Sequence, residues 1–226
     1  MQQREVVILI QITDFNAANT VINNHYNTEW NEIETVLTRM PLHIKASSQA
    51  NKQGKPIFDP VGTNLYIENY LNKLGWNLLP IPTQYEFFGK GIDLAKAGLI
   101  LENQFSNYPF LLNNTARVEF FFQKGTQLGG QSIKLMIIIT KSQIFPSSNS
   151  SLYYEQAVRQ LSALNEIKLF KIPIRVVGLF EQINTTASAI WTEYEKKTAR
   201  KIVTQNQCQY QIKSGKKNNR YTFDLI

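Results

Sequence analysis

Three polar side chains in the segment GIDLAKAGLILENQFSNYPF, residues 91 to 110, have types and a spacing that could support phosphodiester cleavage. Asp93 is separated by an apolar run from Glu102, and Gln104 follows Glu102 after one residue. Cleavage needs an in-line nucleophile, neutralisation of charge on the phosphate and stabilisation of the leaving oxygen. Mg²⁺ provides the last two and prefers hard oxygen ligands. On these three residues alone, an ordinary hairpin with polar ends is the favoured interpretation.

The elements around these residues favour the metal site. An apolar strand on each side of a short turn near 96–98 would bring Asp93 beside Glu102 at one end of a hairpin. Side chains alternate along a strand, so Glu102 and Gln104 should point the same way while Asn103 turns inward and its carbonyl becomes available as a metal ligand. A helix predicted from about Tyr108 would direct its N-terminal N–H groups towards an anion.

The remaining pattern predicts an α/β fold. The nearly all-apolar segments IKLMIIIT and IPIRVVGL read as buried strands on either side of the helical segment LYYEQAVRQLSALNEI. Strand–helix–strand order with buried strands predicts a parallel crossover in a mixed central sheet flanked by helices. We expect residues 1–180 to form this core and residues 181–226 a small basic subdomain. That subdomain should contain a helix, SAIWTEYEKKTARKI, and a β-rich end.

The charge balance indicates a polyanionic partner. The 226 residues contain 24 Lys and Arg against 17 Asp and Glu, a net charge of +7, and the basic residues are concentrated after residue 195. A single cysteine, Cys208, leaves no internal disulfide and fits a reducing cytoplasm. The two histidines, His25 and His43, are too few for a histidine-based metal site. The apolar N-terminal run VVILIQI is too short to span a membrane, so we expect a cytoplasmic protein.

Longer segments resemble a known family. The strings MPLHIKAS, FDPVGTN, PIP, IDLAKAGLILENQFSNYPFLLNNTAR, IIITKSQIFPSSNSSLYYEQA and IPIRVVGL are similar to the BglII-like type II restriction endonucleases, from about residue 28 to 195. That family has a restriction-endonuclease-like core and is unusual among PD-(D/E)XK nucleases in ending its signature E-x-Q instead of E-x-K. The resemblance implies that Asp93, Glu102 and Gln104 are catalytic. It also implies that Asp93, Glu102 and the Asn103 carbonyl bind Mg²⁺.

The resemblance further implies partners and DNA contacts. It predicts a homodimer on double-stranded DNA with a GATC-centred palindrome such as AGATCT, and a cognate methyltransferase that protects the host genome. The residues implied to contact DNA are Ser106, Asn107, Arg117, Asn149, Ser150 and Thr198. Thr198 only approximates the position of a family tyrosine, and Leu78 stands where the family has an asparagine near its active site.

Two other functions remain possible at this point. A DNA-binding protein could keep the nuclease fold without activity, but all three predicted catalytic residues are present. A metabolic α/β enzyme would be expected to carry a glycine-rich phosphate loop after a strand, and the sequence has none.

Overall fold

Strands and helices alternate along most of the chain, as expected of an α/β fold. The structure is a computed structural model that describes residues 8–196, 201–214 and 221–226. Its strands are β1 (Leu9–Phe15), β2 (Leu42–Ala46), β3 (Pro56–Phe58), β4 (Asn77–Pro80), β5 (Gly91–Lys96), β6 (Leu99–Asn103), β7 (Gln127–Leu128), β8 (Gln131–Ser132), β9 (Leu135–Lys141), β10 (Ile174–Phe180), β11 (Thr186–Tyr194), β12 (Ile202–Ser214) and β13 (Tyr221–Leu225). Its α-helices are α1 (Ala18–His25), α2 (Asn27–Arg39), α3 (Pro60–Asn72), α4 (Phe110–Lys124) and α5 (Tyr154–Glu166), and a 3-10 helix covers Thr83–Phe88.

The most apolar strands lie in the middle of a six-stranded mixed sheet with the order β1-β10-β9-β6-β5-β4. Strands β6, β9 and β10 run parallel to one another, and β1, β5 and β4 pair antiparallel with their neighbours. The predicted parallel crossover from β9 through α5 to β10 is therefore confirmed, and α4 makes the equivalent connection from β6 to β9.

Helices cover both faces of this sheet, and alternate residues of each strand point to opposite faces. Leu101 and Ile137 pack in one core with α1, α2 and α3, whereas Ile100 and Ile138 pack in a second core with α4 and α5. Because side chains alternate along a strand, even-numbered residues of β6 face α4. Glu102 belongs to that even-numbered set.

The predicted helix in the C-terminal segment is wrong. Residues 186–194 form strand β11, which pairs antiparallel with β12 and parallel with β2. The segment contains helix-favouring Ala, Glu and Lys residues, but these pairings override that weak local preference. Ala189 is buried against the core while its neighbours Ser188 and Ile190 are more exposed, which is the alternation of a half-buried strand.

The second large sheet has the order β13-β12-β11-β2-β3 and draws strands from both parts of the chain. Ala189 of β11 lies opposite Leu42 of β2, so the C-terminal strands extend a sheet that begins near the N-terminus. Residues of this sheet, including Tyr210 and Phe223, share the core formed by α1, α2 and α3. The division at residue 180 stays a prediction.

In the described residues, no helix has the length and apolarity needed to cross a membrane.

Candidate active site

The β5–β6 hairpin brings Asp93 and Glu102 together. Its two-residue turn, Ala97–Gly98, has positive φ at both positions, and a Cβ on Gly98 would lie 2.6 Å from the Ser132 carbonyl oxygen. Glycine is therefore required at 98 both for its conformation and for the close approach of the backbone. Leu94 pairs with Leu101, and the same register continued by one residue places Asp93 opposite Glu102.

Glu102 is a buried carboxylate held by two side chains of α4. The Arg117 guanidinium donates through Nη2 to Glu102 Oε1, and Asn114 Nδ2 donates to Oε2 over 3.3 Å. Burial raises the pKa of Glu102 to about 8, and the nearby Asp93 carboxylate adds to the rise while Arg117 opposes it. A raised pKa means that protons compete with a cation for this side chain near neutral pH.

Asp93 is oriented by the strand opposite it. Its Oδ2 accepts a hydrogen bond of 2.9 Å from the backbone N–H of Asn103. Burial raises the pKa of Asp93, and the Asn103 N–H and Arg117 limit that rise. Because Asp93, Glu102 and Arg117 interact here, the ionisation of either carboxyl group affects the pKa of the other.

Two amide oxygens that follow Glu102 in the sequence lack hydrogen-bond partners. Asn103 Oδ1 and Gln104 Oε1 are buried and accept no hydrogen bond from any described residue. Gln104 is two residues after Glu102, so by strand alternation the Gln104 oxygen shares a face with the two carboxylates, whereas the Asn103 side chain points to the other face of the sheet. Oxygen is the donor type that Mg²⁺ takes. No group of three or more His, Cys, Asp or Glu side chains suited to a metal occurs among the residues described. A cation held here would thus keep several waters, as Mg²⁺ commonly does.

Arg117 lies inside this site. Besides its bond to Glu102, it donates through Nη1 to the carbonyl oxygens of Phe88 and Gly91, each at 3.2 Å. It is 5 % exposed. A direct DNA contact by Arg117 stays a prediction, and the structure places its guanidinium against the catalytic candidate Glu102.

The predicted base-reading residues lie in two adjacent loops. We call residues 104–109, between β6 and α4, the first loop, and residues 142–153, between β9 and α5, the second loop. Ser106 and Asn107 are exposed in the first loop, and Asn149 and Ser150 are exposed in the second. The backbone N–H of Tyr108 donates to the Ser150 carbonyl oxygen over 3.0 Å, which joins the loops.

Not every predicted site residue can be placed. Thr198 lies outside the described residues. The structure also shows contacts that the spacing of residues in the sequence did not reveal: Arg117 and Asn114 on Glu102, and the buried Lys141 between the two loops. Lys141 opens the polar segment KSQIFPSSNSS, so nothing local in the sequence signals that it is buried.

Three comparisons with known proteins all find similarity to the same group of restriction endonucleases. A model of the family described as restriction endonuclease BglII/BglIII matches residues 10–179. The chain is 48% identical over 196 residues to the type II restriction enzyme BglII of Bacillus subtilis, which covers 86% of each chain. The crystal structure of restriction endonuclease BglII complexed with a DNA 16-mer superposes with a TM-score of 0.91 at 44% identity, and that of free BglII with 0.75 at 40%. Each match covers 96% of this chain and 100% of the other.

Proposed function

The chain belongs to the BglII/BglIII restriction endonuclease family and is a type II restriction endonuclease, and from this premise we propose how it cuts and what it recognises. The proposed reaction is Mg²⁺-dependent hydrolysis of both strands of a short palindrome, which leaves 5′-phosphates. The observation that carries this proposal is the pair of electrostatically coupled carboxylates, the half-buried Asp93 and the buried Glu102, followed two residues later by the unpartnered amide oxygen of Gln104.

Asp93, Glu102 and the backbone carbonyl of Asn103 would hold the Mg²⁺. When bound, the ion supplies neutralisation of the scissile phosphate and stabilisation of the leaving oxygen. The protein contributes the arrangement: the Asn103 N–H fixes Asp93, while Asn114 and Arg117 fix Glu102. Each carboxylate oxygen that accepts one of these bonds has lone pairs left for a cation.

Gln104 takes the position that a lysine holds in the wider superfamily. Its amide is neutral, so it cannot lower the pKa of an attacking water by charge, but it can orient that water by hydrogen bonding. The unpartnered Gln104 Oε1 is available for this role. The proton of the water then passes to solvent or to a phosphate oxygen.

Ser106, Asn107, Asn149 and Ser150 are proposed to read bases in the major groove. Amide and hydroxyl groups can both donate to and accept from base edges. All four residues are exposed on the two joined loops next to the site. We propose a central GATC within AGATCT or a related sequence, with Arg117 and Thr198 as further predicted DNA contacts.

The active unit is proposed to be a homodimer, since two strands of a twofold-symmetric site need two active sites. The start of α4 exposes Phe110 and Leu112, which gives it apolar surface for a second copy. Phe121 is fully buried in one subunit, and Phe120 and Phe122 pack partly against the same core.

We also propose a cytoplasmic location, a cognate methyltransferase, and DNA-embracing contacts by residues 181–226.

Digestion of a sequenced plasmid with and without Mg²⁺, followed by sequencing of the ends, tests this function. Double-strand ends at one GATC-centred site, only with Mg²⁺, are expected. Asn107→Ala and Asn149→Ala should lose site-specific cleavage while keeping salt-sensitive binding to unrelated DNA. Ends without a central GATC would remove the proposed specificity. Specific binding without any cleavage would indicate an inactive DNA-binding protein of the same fold.

A further inference from the structure

A lysine is buried between the two loops. Lys141 is the last residue of β9 and is fully buried. Its ammonium donates to the carbonyl oxygen of Phe105 in the first loop, at 2.5 Å, and to that of Leu152 in the second loop, at 3.1 Å. One side chain therefore bonds the backbones of both loops.

Aromatic rings complete the surroundings of this ammonium. It lies 5.2 Å from the ring centroid of Phe58 and 5.0 Å from that of Tyr153. Phe58 in turn packs against Phe105 of the first loop and Phe145 of the second. Among the described residues, no carboxylate lies within ion-pair distance of Lys141. Burial without such a partner lowers the pKa of Lys141 to about 7.

Lys141 is not placed to act on the phosphate. Odd-numbered residues of β9 face the α1–α3 side of the sheet, whereas Glu102 faces α4. The lysine is thus on the opposite face of the sheet from the Arg117–Glu102 pair. Its contacts are the loop carbonyls and the rings.

We propose that Lys141 is a positioning residue for sequence specificity, which clamps the first and second loops in the relative arrangement that reads the bases. Phe105 immediately precedes Ser106, and Leu152 is two residues after Ser150, so the clamp fixes the backbone directly beside proposed base contacts from each loop. The inference rests on the proposed function of those contacts.

A buried ammonium without a counter-ion adds little to the free energy of unfolding. Taking an ammonium out of water without a counter-ion costs free energy, a cost that an apolar side chain of similar volume does not carry. Methionine at this position would keep the contact with the rings but would leave the Phe105 carbonyl oxygen without its partner, while the Leu152 carbonyl still accepts from Thr140 Oγ1 at 3.2 Å. The clamp therefore predicts that stability and specificity respond differently to one substitution.

The test compares wild type, Lys141→Met, Lys141→Gln and a control, Lys134→Met, whose lysine is exposed just before the same strand. Dissociation constants are measured with Ca²⁺ in place of Mg²⁺ for three duplexes: the mapped site, the site with one inner base pair changed, and unrelated DNA. Thermal unfolding and hydrogen exchange of the two loops are measured on the same samples.

For Lys141→Met we expect an unfolding temperature at or above that of wild type, unchanged affinity for unrelated DNA, and a ~10-fold loss of discrimination between the first two duplexes. Exchange should be faster in both loops and unchanged in α5. Lys141→Gln keeps N–H donors and should recover part of the discrimination. Lys134→Met should behave as wild type.

Undiminished discrimination in a folded Lys141→Met variant overturns the clamp. If that variant does not fold, Lys141→Gln decides by the same criterion. If wild type itself does not discriminate between the duplexes, the proposed recognition fails. Hydrogen exchange still tests the clamp in that case, because unchanged exchange in both loops of Lys141→Met contradicts it.

Discussion

Proton competition at Glu102 should make the affinity for Mg²⁺ strongly dependent on pH. The carboxylate must be ionised to bind the cation, and its pKa is about 8. The ionised fraction is then ~1% at pH 6, ~10% at pH 7 and about half at pH 8. The apparent dissociation constant of Mg²⁺ should accordingly be ~50-fold weaker at pH 6 than at pH 8, a change of about 2 kcal/mol.

Calorimetry gives a direct readout that does not depend on activity. Titration of Mg²⁺ into the protein bound to uncleavable duplex, in buffers with different ionisation enthalpies, counts the protons released. Close to one proton per site is expected at pH 7 and about half of one at pH 8. Single-turnover cleavage at limiting Mg²⁺ should rise with pH in parallel.

Two variants serve as controls for this mechanism. Glu102→Gln keeps the shape of the side chain but has no proton to release, so its weak Mg²⁺ binding should lose the pH dependence between 6 and 8. Arg117→Met removes the cation that lowers the pKa of Glu102, so its profile should move to higher pH. A Mg²⁺ affinity of wild type that is constant from pH 6 to 8, with no proton release, would falsify this account.

Three other outcomes are expected. Asp93→Asn should abolish cleavage but keep or strengthen specific DNA binding, because a charge that repels the phosphate is removed; cleavage within tenfold of wild type, measured by single turnover, would contradict the assignment. Gln104→Lys should not be faster than wild type, because its ammonium would compete with Mg²⁺ for the same carboxylates, and a higher rate at neutral pH would show that reasoning to be wrong. The metal-free protein should have a minimum of thermal stability between pH ~7 and ~8. The folded pKa of Glu102 is raised from 4.5 to about 8, so stability falls as pH rises over that interval, whereas the folded pKa of Lys141 is lowered from 10.5 to about 7, so stability rises with pH above ~7. Glu102→Gln should remove the first slope and Lys141→Met the second, and a scan of unfolding temperature from pH 5 to 10 checks both.

The central sheet was predictable because its signals are local. Continuous apolar runs identify β6, β9 and β10, and helical spacing between them identifies α4 and α5. The spacing of Asp93 and Glu102 was also sufficient, since a hairpin with a two-residue turn fixes which residues face each other. These features depend on residues that are close in the sequence.

The features that could not be predicted depend on distant parts of the chain. Strand β11 is a strand because β2 and β12 pair with it, and the sequence around Trp191 does not reveal that pairing. The Arg117–Glu102 pair depends on where α4 packs against the sheet. Lys141 reads as the start of a polar loop, and only the fold shows that it is buried beneath two loops.

The pairing of β2 with β11 has a consequence for the order of events during synthesis. Leu42 of β2 can pair only after Ala189 has been synthesised. Leu9 of the central sheet can likewise pair only after Phe180 has been synthesised. Contacts so far apart in the chain form late and slowly. Strands β10 and β11 must therefore be synthesised before the chain can adopt the nuclease structure. Until then β2 presents an unpaired edge, and a fragment that stops before β11 should aggregate.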